Sequence, residues 1–341
     1  ALNVDQYINK LTKTKNVNYG VRKNAPQYVT SHTIKSIIKL LRCAWRQAIR
    51  WEVVKKNVFT DSNIPYYESK ESEIWTACEI QHALEICEDQ ILYLCINLAF
   101  SCSLRISEIL GLTWNNIHIE DEDFEKDNTR LVVDKQYVRI DKSMIGILTK
   151  DEIYKQFDSQ VKRDCKTVMV LKSLKMNGKS RTVWIPRTVA FMLKEWKNKQ
   201  QEIKNEFGNL YEDNNLVICF ENGRPIEKSN IERRFKKFIE INGLRKVVFH
   251  SLRHSSATYK LKLSKGDIKA TQGDTGHKSA EMITKRYAHI LDEDRKVNAT
   301  KFEDEFYASK ENEEKDDASE LLDILKNNDA LREQLKKMLS L

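Results

Sequence analysis

The chain has 341 residues, of which 40% are hydrophobic and 32% charged, with a formal net charge of +8. That length favours two domains; no apolar run reaches the ~18 residues of a membrane span, and the polar N-terminus is no signal peptide. The seven cysteines (43, 78, 87, 95, 102, 165, 219) are odd in number and lack Cys-x-x-Cys or zinc-type spacing, which excludes a disulfide scaffold and a structural zinc site and points to a reduced cytoplasm.

Residues 1–58 read as helices. From Val29 to Lys56, the residues Ile34, Ile37, Ile38, Leu41, Ala44, Trp45, Ala48 and Ile49 recur with helical period, and Lys35, Lys39, Arg42, Arg46 and Arg50 fall on other positions. Residues 1–65 hold 12 Lys and Arg against 3 Asp and Glu. A basic helix of this kind can lie along a phosphate backbone, and an ordinary solvated basic face weighs about equally on charge alone. Phe59 to Glu73 is polar, aperiodic and contains Pro65, as a linker does. Thr76 with Glu79 has the spacing of a capping box, so a second domain begins near Trp75 and runs as helices to about Leu112.

Leu131 to Ile140 reads as a strand. Thr167 to Lys175 and Ser180 to Ile185 flank Asn177-Gly178, which predicts a two-residue hairpin. Residues 143–165 read as an insertion. Helices are expected over 187–206, 229–241 and 250–262. Ser264 to Gly276 reads as a loop before a short helix, followed by a helix bearing Tyr287. Glu303 to Asp317 is an acidic tether. Ala318 to Leu341 regains an amphipathic pattern, capped by Asp317 with Glu320, and wants a groove for its apolar face. The expected fold class is mainly α with a small antiparallel β-sheet.

The chemistry concentrates between His250 and His289: His250-Ser251-Leu252-Arg253-His254, Gly276-His277 and Tyr287-Ala288-His289. His250 and Arg253 share a helix face and can offer a ring donor and a guanidinium fork to one phosphate. Tyr287 adds a nucleophilic oxygen, a set suited to a phosphodiester. Arg105 interrupts the apolar run from Phe100 to Trp114, a costly position unless the charge is paired or meets an anion. An ion pair with Glu108, one turn on, is the alternative use of Arg105, and the two uses are compatible. Lone histidines and tyrosines are more often structural. Arg233, Arg234, Lys236 and Lys237 form a second basic stretch whose everyday reading is a solvated helix face.

Together these residues closely resemble the tyrosine recombinase (phage integrase) family, most of all the integrases of conjugative transposons. The resemblance rests on Leu104-Arg105-Ile106-Ser107-Glu108, a hairpin lysine, His-x-x-Arg at 250–253, Gly-His at 276–277, and a tyrosine ten residues later. It spans roughly residues 1–295. It implies a helical core-binding domain over 1–60, a linker over 61–74, a catalytic domain over 75–302, the tether over 303–317, and a helix over 318–341 that docks on a neighbouring protomer. Docking within the same chain is the other option. Catalytic roles fall to Arg105, Lys175, His250, Arg253, His277 and Tyr287, with Glu108, His254 and His289 in support. Lys175 matches the family's Lys-(x)5-Arg hairpin with Arg181; Lys172 and Lys179 are alternatives for the lysine, and Tyr259 and Tyr307 for the nucleophile.

The implied reaction is metal-free: Tyr287 attacks phosphorus, the 5′ oxygen leaves, and a 3′-phosphotyrosyl link conserves the bond energy. No cofactor is expected. The implied partners are double-stranded DNA, contacted by Lys35, Arg42, Arg46, Arg50, Arg233 and Arg234, three further copies of the chain in a tetramer closed as clamps on DNA, and an excision factor. The implied setting is a bacterial cytoplasm at the nucleoid, and a further N-terminal DNA-binding domain is expected to precede Ala1. A type IB topoisomerase and a DNA-binding protein with a dead core are the rival readings. The tethered helix speaks against the first and the filled motif positions against the second.

Overall fold

The computed structural model describes residues 2–21, 25–60, 62, 73–147, 152–157, 165–174, 180–264 and 266–276, together with 333 and 338. The chain divides into two compact units, Ala1–Glu71 and Ser72–Leu341.

In the first unit, α1 (Leu2–Thr12) packs on α2 (Ser31–Arg50). The 3.6-residue period of α2 turns Ile34 and Ile38 against Val4 and Ile8, and Phe59 closes this small core. Thr30 starts α2 by accepting the Thr33 amide at 3.3 Å. Lys35, Lys39, Arg46 and Arg50 stay exposed.

Among its described residues the second unit is mostly helical with two small antiparallel sheets. Its helices are α3 (Ala77–Glu85), α4 (Gln90–Ser101), α5 (Ile106–Ile109), α6 (Asp121–Glu125), α7 (Arg187–Phe207), α8 (Lys228–Ile241), α9 (Phe249–Leu263) and α10 (Ile268–Thr275). The capping box opens α3 as the spacing predicts: the Thr76 amide donates to Glu79 at 2.7 Å and the Glu79 amide to the Thr76 hydroxyl at 3.3 Å. Helix α4 is apolar on nearly all sides because it runs through the core, packing on α5, α7, α8 and α9. Helix α10 lies inside the segment expected to be a loop. Asp267 caps it through the Ala270 amide at 3.0 Å, and Gly276, at φ +62°, ends it in the left-handed conformation.

The strands are β1 (Ile117–His118), β2 (Arg130–Val133), β3 (Lys135–Asp141), β4 (Ile153–Phe157), β5 (Thr167–Ser173) and β6 (Arg181–Trp184). They form the sheets β1-β2-β6 and β3-β5-β4. The segment expected as one strand over 131–140 is thus two, broken at Asp134. The supposed insertion over 143–165 contains β4, which pairs with β5.

The expected hairpin between β5 and β6 is corrected. The two strands pair with different, consecutive strands of different sheets: β5 pairs with β3, from Asp141↔Thr167 to Lys135↔Ser173, and β6 pairs with β2, from Val133↔Arg181 to Arg130↔Trp184. Beyond Ser173, the Leu174 amide donates to the Asp134 carbonyl at 3.3 Å. A period of two tells which residues share a face but not which strand is the partner. Asn177-Gly178 lies outside the described residues.

Gly111, just after α5, lets that helix approach β3. A Cβ there would stand 2.8 Å from both the Gln136 Cα and the Tyr137 amide nitrogen, backbone atoms that cannot swing aside. Gly111→Ala is expected to lower unfolding free energy by about 1–3 kcal/mol, as overpacked sites do, seen as a lower denaturant midpoint with an unchanged slope.

Candidate active site

The loop between α4 and α5 carries Ser103, Leu104 and Arg105. Arg105 sits at the N-cap position of α5, and its amide donates to Glu108 Oε2 at 3.0 Å. Its guanidinium donates to Glu108 Oε1 at 2.8 Å, and its side chain is 42% exposed. Arg181, at the start of β6, grips the same carboxylate from another side, with bonds of 2.6 Å to Oε2 and 3.2 Å to Oε1. A carboxylate offers about four lone-pair positions, and two arginines fill them. The three side chains together carry one net positive charge.

The titration of Glu108 follows from this. Burial would push its carboxyl up, but the Arg181 fork and then Arg105 outweigh burial and hold it at about 2, below the ordinary 4.5. The salt bridge considered for Arg105 is therefore present, and it leaves the outer part of the guanidinium in solvent.

Arg253, on α9, is buried at 1% exposure. It donates to the carbonyls of Ser103 and Thr275, which ties the Arg105 loop to the end of α10. Ser103 presents that carbonyl from a left-handed conformation, φ +53°, which is unusual for a residue with a side chain. Its hydroxyl meets that of Ser256, also on α9, at 2.5 Å. His250 is exposed at the start of α9, one turn before Arg253, and its ring meets that of buried His254 edge to face at 4.7 Å. The face expected to be shared by His250 and Arg253 thus runs from solvent into the interior.

Lys172 is half-buried on β5, opposite Gln136. Lys175, Lys179, His277, Tyr287, His289 and Tyr307 lie outside the described residues, as do the acidic tether and nearly all of the C-terminal helix segment. Tyr259 is exposed on α9 and stacks beside Phe100 at 5.7 Å.

Of the residues expected to meet DNA, Lys35, Arg46, Arg50 and Arg233 are exposed. Arg42 is committed locally: its Nε donates to the Phe59 carbonyl at 2.7 Å and a terminal nitrogen to Ser62 at 3.3 Å. Arg234 is paired with Asp89 at 2.9 Å and bonded to Asn230 at 2.9 Å. The sequence marks Arg181 only as the arginine of the Lys-(x)5-Arg pattern with Lys175, and not its grip on Glu108. An arginine opening a short strand beside a turn looks solvent-facing, and only the fold brings it to Glu108.

A carboxyl held low in the folded state contributes stability above its unfolded value, near 4.5, and that stability is lost as pH falls toward 2. The difference corresponds to roughly 3 kcal/mol. Glu108→Gln is expected to be less stable than the parent at pH 7 by an amount of this order. Denaturation midpoints of the two proteins should converge between pH 5 and pH 2; a gap that does not change with pH would show that Glu108 contributes by packing alone.

Residues 155–294 match the phage integrase family. Over 311 residues the chain is 28% identical to a tyrosine recombinase XerC-like protein of Caldanaerobacter subterraneus subsp. tengcongensis, covering 88% of this chain and 69% of that protein. It is 23% identical over 279 residues to the ICEBs1 integrase of Bacillus subtilis, covering 81% of this chain and 66% of that one. Among solved structures, residues 82–397 of the Tn1549 transposon integrase, bound to circular intermediate DNA, share the fold at a TM-score of 0.59 and 16% identity, covering 84% of this chain and 80% of that one. The Arg105 loop, the helix of His250 and Arg253, and the match across β5 to α10 agree in making the chain similar to the tyrosine recombinases of the phage integrase family.

Proposed function

We propose that this chain is a site-specific DNA recombinase, an integrase that cuts and rejoins DNA through a 3′-phosphotyrosyl intermediate to move a mobile element in and out of a bacterial chromosome. The observation that carries the reading is Arg105: a guanidinium fixed on its inner side by a buried carboxylate and open to solvent on its outer side, within a family that acts on DNA. Such a donor is already in place when negative charge grows on the phosphate oxygens, and one such donor is worth on the order of 10²–10³ in rate.

In the proposed reaction the Tyr287 oxygen bonds to phosphorus, the bond to the 5′ oxygen breaks, and the 5′ hydroxyl leaves after taking a proton from Lys175. The tyrosine proton passes to His250. Arg105, Arg253 and His277 bear the phosphate charge, and attack by another strand's 5′ hydroxyl reverses the step. DNA of the element ends and target is the substrate. Four copies joined through the 318–341 helix form the working assembly, with an excision factor as a further partner. The match to integrases of mobile elements, the ICEBs1 integrase among them, supports this role, and bacterial relatives support a cytoplasmic setting.

Incubating the protein with a nicked suicide duplex carrying an element end, in EDTA, is expected to give a protease-sensitive covalent adduct mapping to Tyr287. Tyr287→Phe should bind the duplex as the parent does and give no adduct. An adduct in that variant moves the nucleophile elsewhere, and no adduct from parent protein on bound DNA favours a DNA-binding protein.

The exposed cations of α2 make a separate expectation. Replacing Lys35, Arg46 and Arg50 together with alanine should weaken binding to all duplexes alike and flatten the slope of log affinity against log salt by about 2–3, near 0.9 per lost phosphate contact. Arg42→Ala should instead lower stability, because its bonds go to Phe59 and Ser62.

A further inference from the structure

Arg181 is held in three directions. Its backbone opens β6, in register with Val133 of β2. Its guanidinium takes both oxygens of Glu108 on α5. Its side chain also lies across Gly276, the last turn of α10: a Cβ built on Gly276 would stand 3.0 Å from its Cδ and Nε and 3.3 Å from its Cζ. Its own side chain is 18% exposed, against 42% for Arg105. Arg181 is thus the inner arginine of the pair and Arg105 the outer one.

This arrangement restricts where Arg105 can point. Bonded by Arg105 alone, through its amide at Oε2 and its guanidinium at Oε1, Glu108 would be held only within its own helical turn and could shift together with the outer guanidinium. With Arg181 gripping both oxygens, Glu108 has a single orientation, and Arg105 is aimed from a fixed base. The same side chain packs on the residue that precedes His277 in sequence.

We infer that Arg181 is a positioning residue for strand cleavage, which sets the Arg105 guanidinium through the shared Glu108 carboxylate and braces the end of α10 from which the chain continues to His277 and Tyr287. The inference rests on the recombinase reading above. Arg181 acts through Arg105 and does not itself touch the phosphate. A displaced Arg105 still supplies attraction to DNA but no longer meets the developing charge, so the cost falls on the rate of cleavage and not on binding.

The experiment is single-turnover cleavage of the nicked duplex by parent, Arg105→Ala and Arg181→Gln proteins. The scissile phosphate is either ordinary or a neutral methylphosphonate, with duplex affinity and thermal melting measured alongside. On ordinary phosphate, Arg181→Gln is expected to cleave about 10- to 100-fold more slowly, the scale of weakening one charge-stabilising donor, with affinity within about 3-fold of the parent. On the methylphosphonate, where one charged oxygen is gone, both variants are expected to recover to within a few-fold of the parent. Should Arg181→Gln not fold, Arg181→Lys, which keeps the charge but not the two-pronged grip, is judged by the same criteria. A defect of equal size on both substrates would overturn the inference, since Arg181 would then only hold the fold. Cleavage at the parent rate would overturn it as well. A parent protein that binds the duplex but forms no adduct overturns the recombinase reading and this inference with it, so the two failures are told apart by the parent lane.

Discussion

A carboxylate with 4% of its side chain exposed must be matched by cations or give up its charge, since taking ions out of water costs several kcal/mol each. Glu108 is matched twice, and the asymmetry of its two partners is what the site depends on. A single arginine would close the pair into neutrality and leave little pull on a phosphate. Two arginines on one carboxylate leave a charge over, and the geometry places that surplus at the partly exposed Arg105. The stability of the second unit draws on these four hydrogen bonds. Acid that protonates Glu108 would weaken them.

The supports of this carboxylate reach widely. Gly111 lets α5 sit against β3, so the helix bearing Glu108 is fixed to the sheet region by a missing side chain. Arg181 brings in β6, and Arg253 joins the loop before α5 to the end of α10. The elements that converge come from residues 103–111, 181–184, 249–263 and 268–276, distant in sequence, and each arrives with a polar group already bonded.

Much of this is legible in the order of the residues alone. A charge inside an apolar run has to be paired or functional, which singles out Arg105 and Glu108. The period of α2 and the capping box of α3 are local signals, and local signals survive folding. What escapes is non-local. Alternation along 167–173 and 181–184 reveals strands but cannot say that both lie along 130–141, because the pairing partner is written in neither segment. Arg42 and Arg234 read as members of basic faces, and only tertiary neighbours, Phe59 and Asp89, show where their hydrogen bonds go. Arg181 escapes for the same reason. Its partner is 73 residues away.

The pairing of β5 and β6 has a consequence for how such a protein can change over evolutionary time. β5 is registered on β3 and β6 on β2, so Ser173 and Arg181 stand at points fixed by their partners Lys135 and Val133. A residue gained or lost within β5 or β6 would turn every later side chain of that strand to the opposite face, so length cannot change inside 167–173 or 181–184. The number of residues in these two strands is therefore held by pairing, while their identities are free to drift on the exposed face.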